Sequence, residues 1–449
     1  MKRRILVFLL LMGCASSVWA MGSLPWQTKK EVQSATPASE IQTITLWDGY
    51  ELALRQSEAL AIKKEEIDRT LASFLKATGD AVGDFDFVMT TKRQDPQAGS
   101  SDGSAVAANA TASERRERKF VISQPLFQGF KSVGALSGAG SLRKQRQQEW
   151  ERAKQLLFID VATTFYDYLR IQKDIEITQG ILTLYEDRIK ELRGWEEIGR
   201  SRPSETASAQ SHYEVFRADL ARFKGELEIV ENMLSFLTGM PVQPIELKDE
   251  TSAPASAEID FAELAAARPD VEAARQAVTT ARGAMIVAQG DLWPELSLDS
   301  NLYEKREGFQ SGISWDALFT LSIPLGKGGS TFSKMRDAIS LWKQAKLTYA
   351  MNQRKAEQEI RDAYTRWMSA GEQYRALEKA VKSAQENFTL QSNEYKQHLV
   401  SNLDVLEAMQ ALFETKRNLN LVFYMMTKSY WQLEVARGNC CKELQSADL

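Results

Sequence analysis

The amino-acid sequence repeats itself, and this duplication constrains the fold more than any other feature. Ser-Gln-Pro-Leu at 123–126 matches Ser-Ile-Pro-Leu at 322–325, and the same shift of 199 residues aligns Gly129 with Gly328. An internal repeat of this length predicts two copies of one structural unit, packed together or in series.

A second landmark lies upstream, where Gly-Asp at 79–80 matches Gly-Asp at 290–291 at a shift of 211. The first copy therefore holds about 12 extra residues between the two landmarks, within a Gly-, Ser- and Ala-rich stretch at 97–113 that indicates a loop. The predicted division is a signal peptide at 1–20, an N-terminal extension at 21–45, a first repeat at 46–239, a linker at 240–258, a second repeat at 259–438 and a C-terminal tail at 439–449.

Each copy predicts the same order of elements: a helix, a strand hairpin, a very long helix, a short break and a returning helix. The opening helices are expected at about 46–78 and 260–289. No proline interrupts 133–202, so the long helix of the first copy could run for about 60 residues, or roughly 90 Å. Two sets of mainly apolar residues repeat every seven positions along it, as in a coiled coil: Val161, Tyr168, Ile175, Leu182 and Ile189, and Leu157, Thr164, Ile171, Thr178, Tyr185 and Leu192.

Strands are predicted at about 85–94 and 116–126 in the first copy and at about 295–306 and 315–325 in the second. Leu296, Leu298 and Leu302 share one parity, which gives that strand an apolar face opposite a polar one. About ten tilted residues cross a bilayer core, so alternation allows four membrane strands or four strands of a soluble sheet.

The N-terminus has the pattern of an export signal. Lys2, Arg3 and Arg4 precede an apolar run at 5–12, and small residues at 18 and 20 suit cleavage after Ala20. A second option is a lipoprotein signal at 1–13, with Cys14 carrying the lipid. Both options take the chain out of the cytoplasm.

Composition excludes several classes of function. The chain has 56 basic and 60 acidic residues, so it lacks the cationic surplus that binds nucleic acid. Three cysteines and two histidines are too few for a zinc site, a disulfide framework or a His-dependent triad. The glycine clusters match neither a dinucleotide-binding nor a phosphate-binding loop. The sequence therefore predicts no enzyme, no cofactor and no metal site.

Four membrane strands cannot close, because a bare sheet edge in hydrocarbon leaves backbone groups unpaired. Two chains would supply eight strands with an interior filled by side chains, and three would supply twelve around a wider lumen. A shared barrel with helices projecting from it would form a conduit.

The order of elements and several motifs resemble the TolC-like outer membrane efflux protein family. The motifs are Ser-Gln-Pro-Leu-Phe-Gln-Gly at 123–129, Arg-Pro-Asp-Val at 268–271, Leu-Trp-Pro-Glu-Leu-Ser-Leu at 292–298 and Ser-Asn-Leu-Asp-Val-Leu-Glu-Ala at 401–408. The resemblance implies a mainly α fold with a small β part, in which duplicated coiled-coil hairpins and four transmembrane strands per chain form a trimeric 12-stranded β-barrel and an α-helical tunnel.

The resemblance also implies a function and partners. The chain would be the outer membrane channel of a tripartite efflux or type I secretion system, with its helices in the periplasm. It would be a homotrimer in outer membrane lipids, docked to a periplasmic adaptor (membrane fusion) protein and an inner-membrane pump of RND or ABC type. The alternatives are a periplasmic coiled-coil adaptor and a structural envelope protein.

The functional residues implied lie at the helix breaks, at 199–203 and 398–402. Asp404 and Glu407 match the acids of the periplasmic entrance constriction, although a helix-capping role also explains Asp404. Tyr395, with Ser204 and Glu205, matches the polar latch of the closed gate.

One position departs from the family pattern. Val400 stands where the best-known members carry an arginine, so the charged part of the latch has no counterpart at that position.

Overall fold

The structure, a computed structural model, describes residues 43–93, 114–240, 246–247, 260–307, 311–326 and 328–438. The predicted signal peptide, Cys14, most of the linker and the C-terminal tail lie outside the described residues. The elements run, in chain order, β1 (Thr43–Ile44), α1 (Leu46–Gln56), α2 (Glu58–Val82), β2 (Asp84–Arg93), β3 (Glu114–Gln128), α3 (Lys131–Glu197), α4 (Pro203–Thr238), β4 (Glu246–Leu247), α5 (Phe261–Ala266), α6 (Pro269–Gly290), β5 (Glu295–Arg306), β6 (Trp315–Ser322), α7 (Ser330–Lys396) and α8 (Asn402–Ala436).

The opening helix of each copy is broken, which corrects the prediction of a continuous helix. In the first copy Ser57 ends α1 and its side chain accepts a hydrogen bond from the Leu60 backbone as the N-cap of α2. In the second copy the break falls at Arg268, whose extended backbone precedes Pro269. Arg268 lies 211 residues after Ser57, which is the shift of the upstream landmark. The two copies are therefore interrupted at equivalent positions, although by different local interactions.

The heptad pattern of α3 is confirmed by the burial of its residues. All members of the two sets except Leu157 and Ile175 are buried, and Val161, Tyr185 and Leu192 are fully enclosed. The helix has 67 residues, or about 100 Å, as does its counterpart α7. Because α3 contacts α1, α2, α4, α6 and α8, its apolar stripe is wider than a two-stranded coiled coil needs.

Four strands form one antiparallel sheet in the order β2–β3–β5–β6. Each repeat supplies one hairpin, and the pairing of β3 with β5 joins the repeats. Within the described residues β2 and β6 each pair on one side only, so the sheet has two open edges.

The two faces of the sheet differ in chemistry. Phe120 contacts Phe85 and Phe87 across the strands, with ring centroids 5.9 and 4.9 Å apart. The register places further apolar residues on this face, which we call the apolar face: Met89, Ile122, Leu296, Leu298, Leu302, Trp315, Phe319 and Leu321. On the opposite face Ser123 donates a hydrogen bond to Asp299 at 2.7 Å, and Asn301 and Tyr303 each donate one to Asp316 at 2.7 Å.

A second, smaller sheet involves the predicted linker. Residues 246–247, as β4, pair in parallel with β1, just before the first repeat. The segment between the repeats therefore returns to the beginning of the described chain. No helix among the described residues combines the length and the apolar character that a membrane span needs.

Three glycines allow α3 and α6 to cross closely. A Cβ atom at Gly283 would lie 2.6 Å from the carbonyl oxygen of Gly134 and 2.8 Å from the Cα atom of Gly138. Both atoms belong to the backbone of α3, so a side chain at position 283 would have to separate the helices.

We expect Gly283→Ala to destabilise the protein by about 1–3 kcal/mol, the usual range for overpacking a close contact. The measurement is the thermal unfolding midpoint of the purified protein, followed by circular dichroism. Gly194→Ala is the matched control, because a Cβ atom there meets nothing within 4 Å and alanine favours the helix. Equal midpoints for the two variants would contradict the close-packing argument.

Candidate functional site

Both long helices turn back at the predicted breaks. Gly199 and His398 adopt left-handed backbone conformations, with φ of 71° and 63°, and α4 and α8 begin a few residues later. An apolar cluster, the tip cluster, packs the two turns together and draws on all four helices: Ile181, Leu182, Tyr185, Ile189, Leu192, Ala209, Phe216, Tyr395, Val405, Leu406, Met409 and Phe413.

Tyr395 and Glu205, two of the predicted latch residues, are in direct contact. The Tyr395 hydroxyl donates a hydrogen bond to Glu205 Oε2 at 2.9 Å, and Ser201 donates to the same oxygen at 2.8 Å. Ser204, the third predicted residue, is exposed and takes no part in these bonds. The contact links the end of α7 to the start of α4, and its role as a gate latch stays a prediction.

Burial governs the acid–base behaviour of Tyr395. The residue is 7% exposed, and its ring stacks on that of Trp195 with centroids 5.3 Å apart. Burial, followed by the hydrogen bond to Glu205, raises the pKa of Tyr395 from 10.0 to about 12. The raised pKa means that protonated Tyr395 stabilises the folded tip. This stabilisation is complete when the pH is below the ordinary pKa of tyrosine, and it is lost as the pH rises through about 12.

Arg188 on α3 is the residue that sequence reasoning missed. Its side chain is 6% exposed, and Nε and Nη2 donate to Asn402 Oδ1 at 3.0 and 2.8 Å. Nη1 donates to Glu191 at 2.7 Å, and the guanidinium lies 4.0 Å from the centroid of the Tyr395 ring. The Arg188 guanidinium, on α3, thus contacts the last turn of α7 and the first residue of α8.

Two sequence signals point to Arg188 in retrospect. It follows Tyr185 by three residues and precedes Leu192 by four, so it lies on the buried stripe of α3, where a charge needs a partner. Val400, at the position of the family's arginine, is half-buried and packs against the tip cluster instead. The cation at this tip comes from α3.

Asp404 caps α8 and Glu407 does not. Ser401 donates to Asp404 Oδ2 from its backbone nitrogen at 2.8 Å and from its hydroxyl at 2.6 Å, which lowers the pKa of Asp404. Glu407 is exposed and makes no hydrogen bond or ion pair with another described residue. The capping role foreseen as an alternative for Asp404 is therefore present, and the constriction role of both acids stays a prediction.

Among the described residues, no three or more His, Cys, Asp or Glu side chains are grouped so that they could hold a metal ion. The chemistry of the tip consists of hydrogen bonds, one buried cation and exposed carboxylates.

We expect Arg188→Met to destabilise the tip by about 2 kcal/mol, because Asn402 loses two hydrogen bonds to a charged group. Hydrogen exchange of peptides from 395–409 should become faster, while peptides from the strands keep their rates. Arg193→Met, an exposed arginine on the same helix, is the control and should leave both unchanged. Unaltered exchange at 395–409 in the Arg188 variant would show that the tip does not depend on this cation.

Comparison with known proteins gives a family match for part of the chain and several relatives. The family model for outer membrane efflux proteins matches residues 262–439. The solvent efflux pump outer membrane protein SrpC of Pseudomonas putida is 24% identical over 304 residues, which are 65% of this chain and 64% of SrpC. The chain thus spans just under two thirds of the length of this relative.

Solved structures extend the likeness to nearly the whole chain. A crystal structure of CusC superposes with a TM-score of 0.80 and 18% identity, covering 90% of this chain and 95% of that one. The CmeC outer membrane channel of Campylobacter jejuni gives 0.77 and 16%, covering 95% and 93%. The fold of these proteins is the one described above, and the family match falls on the second repeat. The second repeat therefore matches the outer membrane efflux protein family, and the chain has the fold of the solved channels that it resembles.

Proposed function

We propose that this chain is one subunit of a homotrimeric outer membrane channel, the passive conduit of a tripartite efflux or type I secretion system. The sheet would span the outer membrane and the helices would lie in the periplasm. The observation that carries the proposal is a four-stranded sheet with one apolar face, one polar face and two open edges.

The two faces suit the two sides of a barrel wall. The side chains of Phe85, Trp315 and Phe319 are each more than 60% exposed on the apolar face, where lipid would cover them. The opposite face carries hydrogen-bonded Ser, Asp, Asn and Tyr side chains, as a water-filled lumen requires. Pairing β2 of one subunit with β6 of the next would satisfy both open edges, and three subunits would give twelve strands.

The helix tips would form the periplasmic entrance. Three copies of Glu407, exposed and without an ionic partner among the described residues, would form a ring of carboxylates that attracts cations. Asp404 would add to this ring while it caps α8. The Tyr395–Glu205 hydrogen bond would hold the entrance closed, and its separation by an adaptor protein would open it.

The partners follow from the same arrangement. A conduit without an energy source needs a pump of RND or ABC type in the inner membrane and an adaptor to bridge the periplasm. Relatives are named for the efflux of solvents and of cations, so we propose the role of conduit without a single cargo.

Opposite faces of β6 provide a test of membrane insertion. Phe319→Arg places a charge on the apolar face, which costs about 2–4 kcal/mol near the bilayer midplane, and we expect much less trimer in the outer membrane. Thr320 lies on the opposite, polar face, so the Thr320→Arg variant should assemble like the wild type. The measurement is the trimer fraction in detergent, by light scattering after size exclusion. A wild-type chain that stays monomeric and dispersed without detergent would contradict the proposal, and would favour an adaptor or structural envelope protein.

Single-channel conductance tests the entrance. Glu407→Gln combined with Asp404→Asn removes both charges. The asparagine keeps a side-chain oxygen that can accept the hydrogen bond from the Ser401 backbone. We expect block by multivalent cations to weaken at least tenfold, because the carboxylate ring is lost. Glu414→Gln, seven residues further along α8, is the control. If block persists in the double variant, these acids do not form the constriction.

A further inference from the structure

A groove of about 740 Å³ lies between α3 and α7, with α8 as its floor. It is separate from the tip residues to which a role is proposed above. Its length along α3, from Lys173 to Leu184, is about 16 Å. Sites for small molecules usually have volumes of this order.

The wall of the groove is mostly apolar and aromatic. Ile177, Ile181 and Leu184 contribute from α3. Phe423 of α8 contacts Tyr374 of α7, with ring centroids 5.8 Å apart. Faces of this kind bind apolar chains and flat ring systems.

Lys416 gives the groove its charge. It lines the groove, is half-buried, and makes no hydrogen bond or ion pair with any described residue. The other charged side chains of the lining are Lys173 and Glu176, whose Nζ and Oε2 atoms are 2.6 Å apart, so they neutralise each other. The groove therefore holds one uncompensated positive charge beside an apolar wall.

Gly180 keeps the groove open on the side of α3. A Cβ atom at this position would meet nothing within 4 Å, although the residue lies inside a continuous helix. Glycine weakens a helix interior relative to larger residues, and no packing contact requires it here. Its absent side chain leaves room in the groove.

We propose that this groove binds an anionic amphiphile, an aromatic or aliphatic body carrying one carboxylate, sulfonate or phosphate group. The body would lie against Ile177, Ile181 and Phe423, and the anionic group would pair with Lys416. The site goes beyond the conduit function. Its test in nanodiscs rests on the proposed insertion of the sheet in a membrane, which incorporation of the chain into nanodiscs checks separately, and binding is measured without conduction.

The test uses a matched pair of fluorescent probes with the full chain in nanodiscs of zwitterionic lipid. The probes are 1-anilinonaphthalene-8-sulfonate and its uncharged parent, N-phenyl-1-naphthylamine. We expect saturable binding of both above empty nanodiscs, at one site per subunit, with the sulfonate bound more tightly.

Three variants separate charge from shape. Lys416→Gln should weaken sulfonate binding at least fivefold and leave the uncharged probe within twofold of the wild type. Gly180→Leu should abolish binding of both probes, and it replaces glycine with a better helix former, so folding is not at risk. Lys379→Gln, an exposed lysine on α7, should change neither affinity.

Several outcomes would overturn the proposal. No saturable signal above empty nanodiscs, or equal sulfonate affinity in the Lys416 variant, rules out an anion site. Unchanged binding in the Gly180 variant places the probes elsewhere. If the thiol of the Leu184→Cys variant crosslinks between subunits and resists maleimide, a second copy of the chain fills the groove.

Discussion

The apolar stripe of α3 is the interaction on which the rest of the structure depends. It contacts the opening helices of both repeats, its own returning helix and the last helix of the chain. Phe158 and Tyr166 are fully buried on it, and Trp431 of α8 donates a hydrogen bond to the Tyr166 hydroxyl at 3.0 Å. Because one continuous helix holds all these partners, the sheet at one end and the tip cluster at the other are fixed relative to each other.

The two repeats have the same architecture but differ in the chemistry at equivalent positions. Arg268, 1% exposed, donates to Asp270 and to Glu359, at 2.7 and 2.8 Å from Nη2. The equivalents of Arg268 and Glu359 in the first repeat are Ser57 and Asp160. Ser57 is a helix cap, and partial burial raises the pKa of Asp160. Duplication preserved the helix break, and divergence changed the interaction that stabilises it.

Much of this fold could be predicted from the sequence, because periodic signals determine it. Apolar spacing on α3 predicted which residues are buried, and alternation at 295–306 predicted a two-faced strand. Both helix breaks were missed. The serine cap at Ser57 is a weak local signal inside a helical pattern, and the visible signal of Pro269 was not read as a break. The pairing of β1 with β4 was missed because a strand of two residues is too short to show an alternating pattern.

The tip was only partly predictable for a related reason. Tyr395 and Glu205 were found through motif resemblance, which compares positions one by one. Arg188 was not found in this way, since the family's arginine position holds Val400 and the cation is supplied from another helix. Only three-dimensional proximity shows that a charge on α3 meets Asn402, 214 residues later.

The β3–β5 ladder has a consequence for biosynthesis. Residues that pair in it are more than 160 positions apart, so β3 cannot complete its hydrogen bonds until the chain has been made through β5, about a quarter of the way into the second repeat. Contacts of such long sequence separation form slowly and leave strand edges available to wrong partners. The first hairpin therefore keeps an open strand edge until β5 of the second repeat is available to pair with β3.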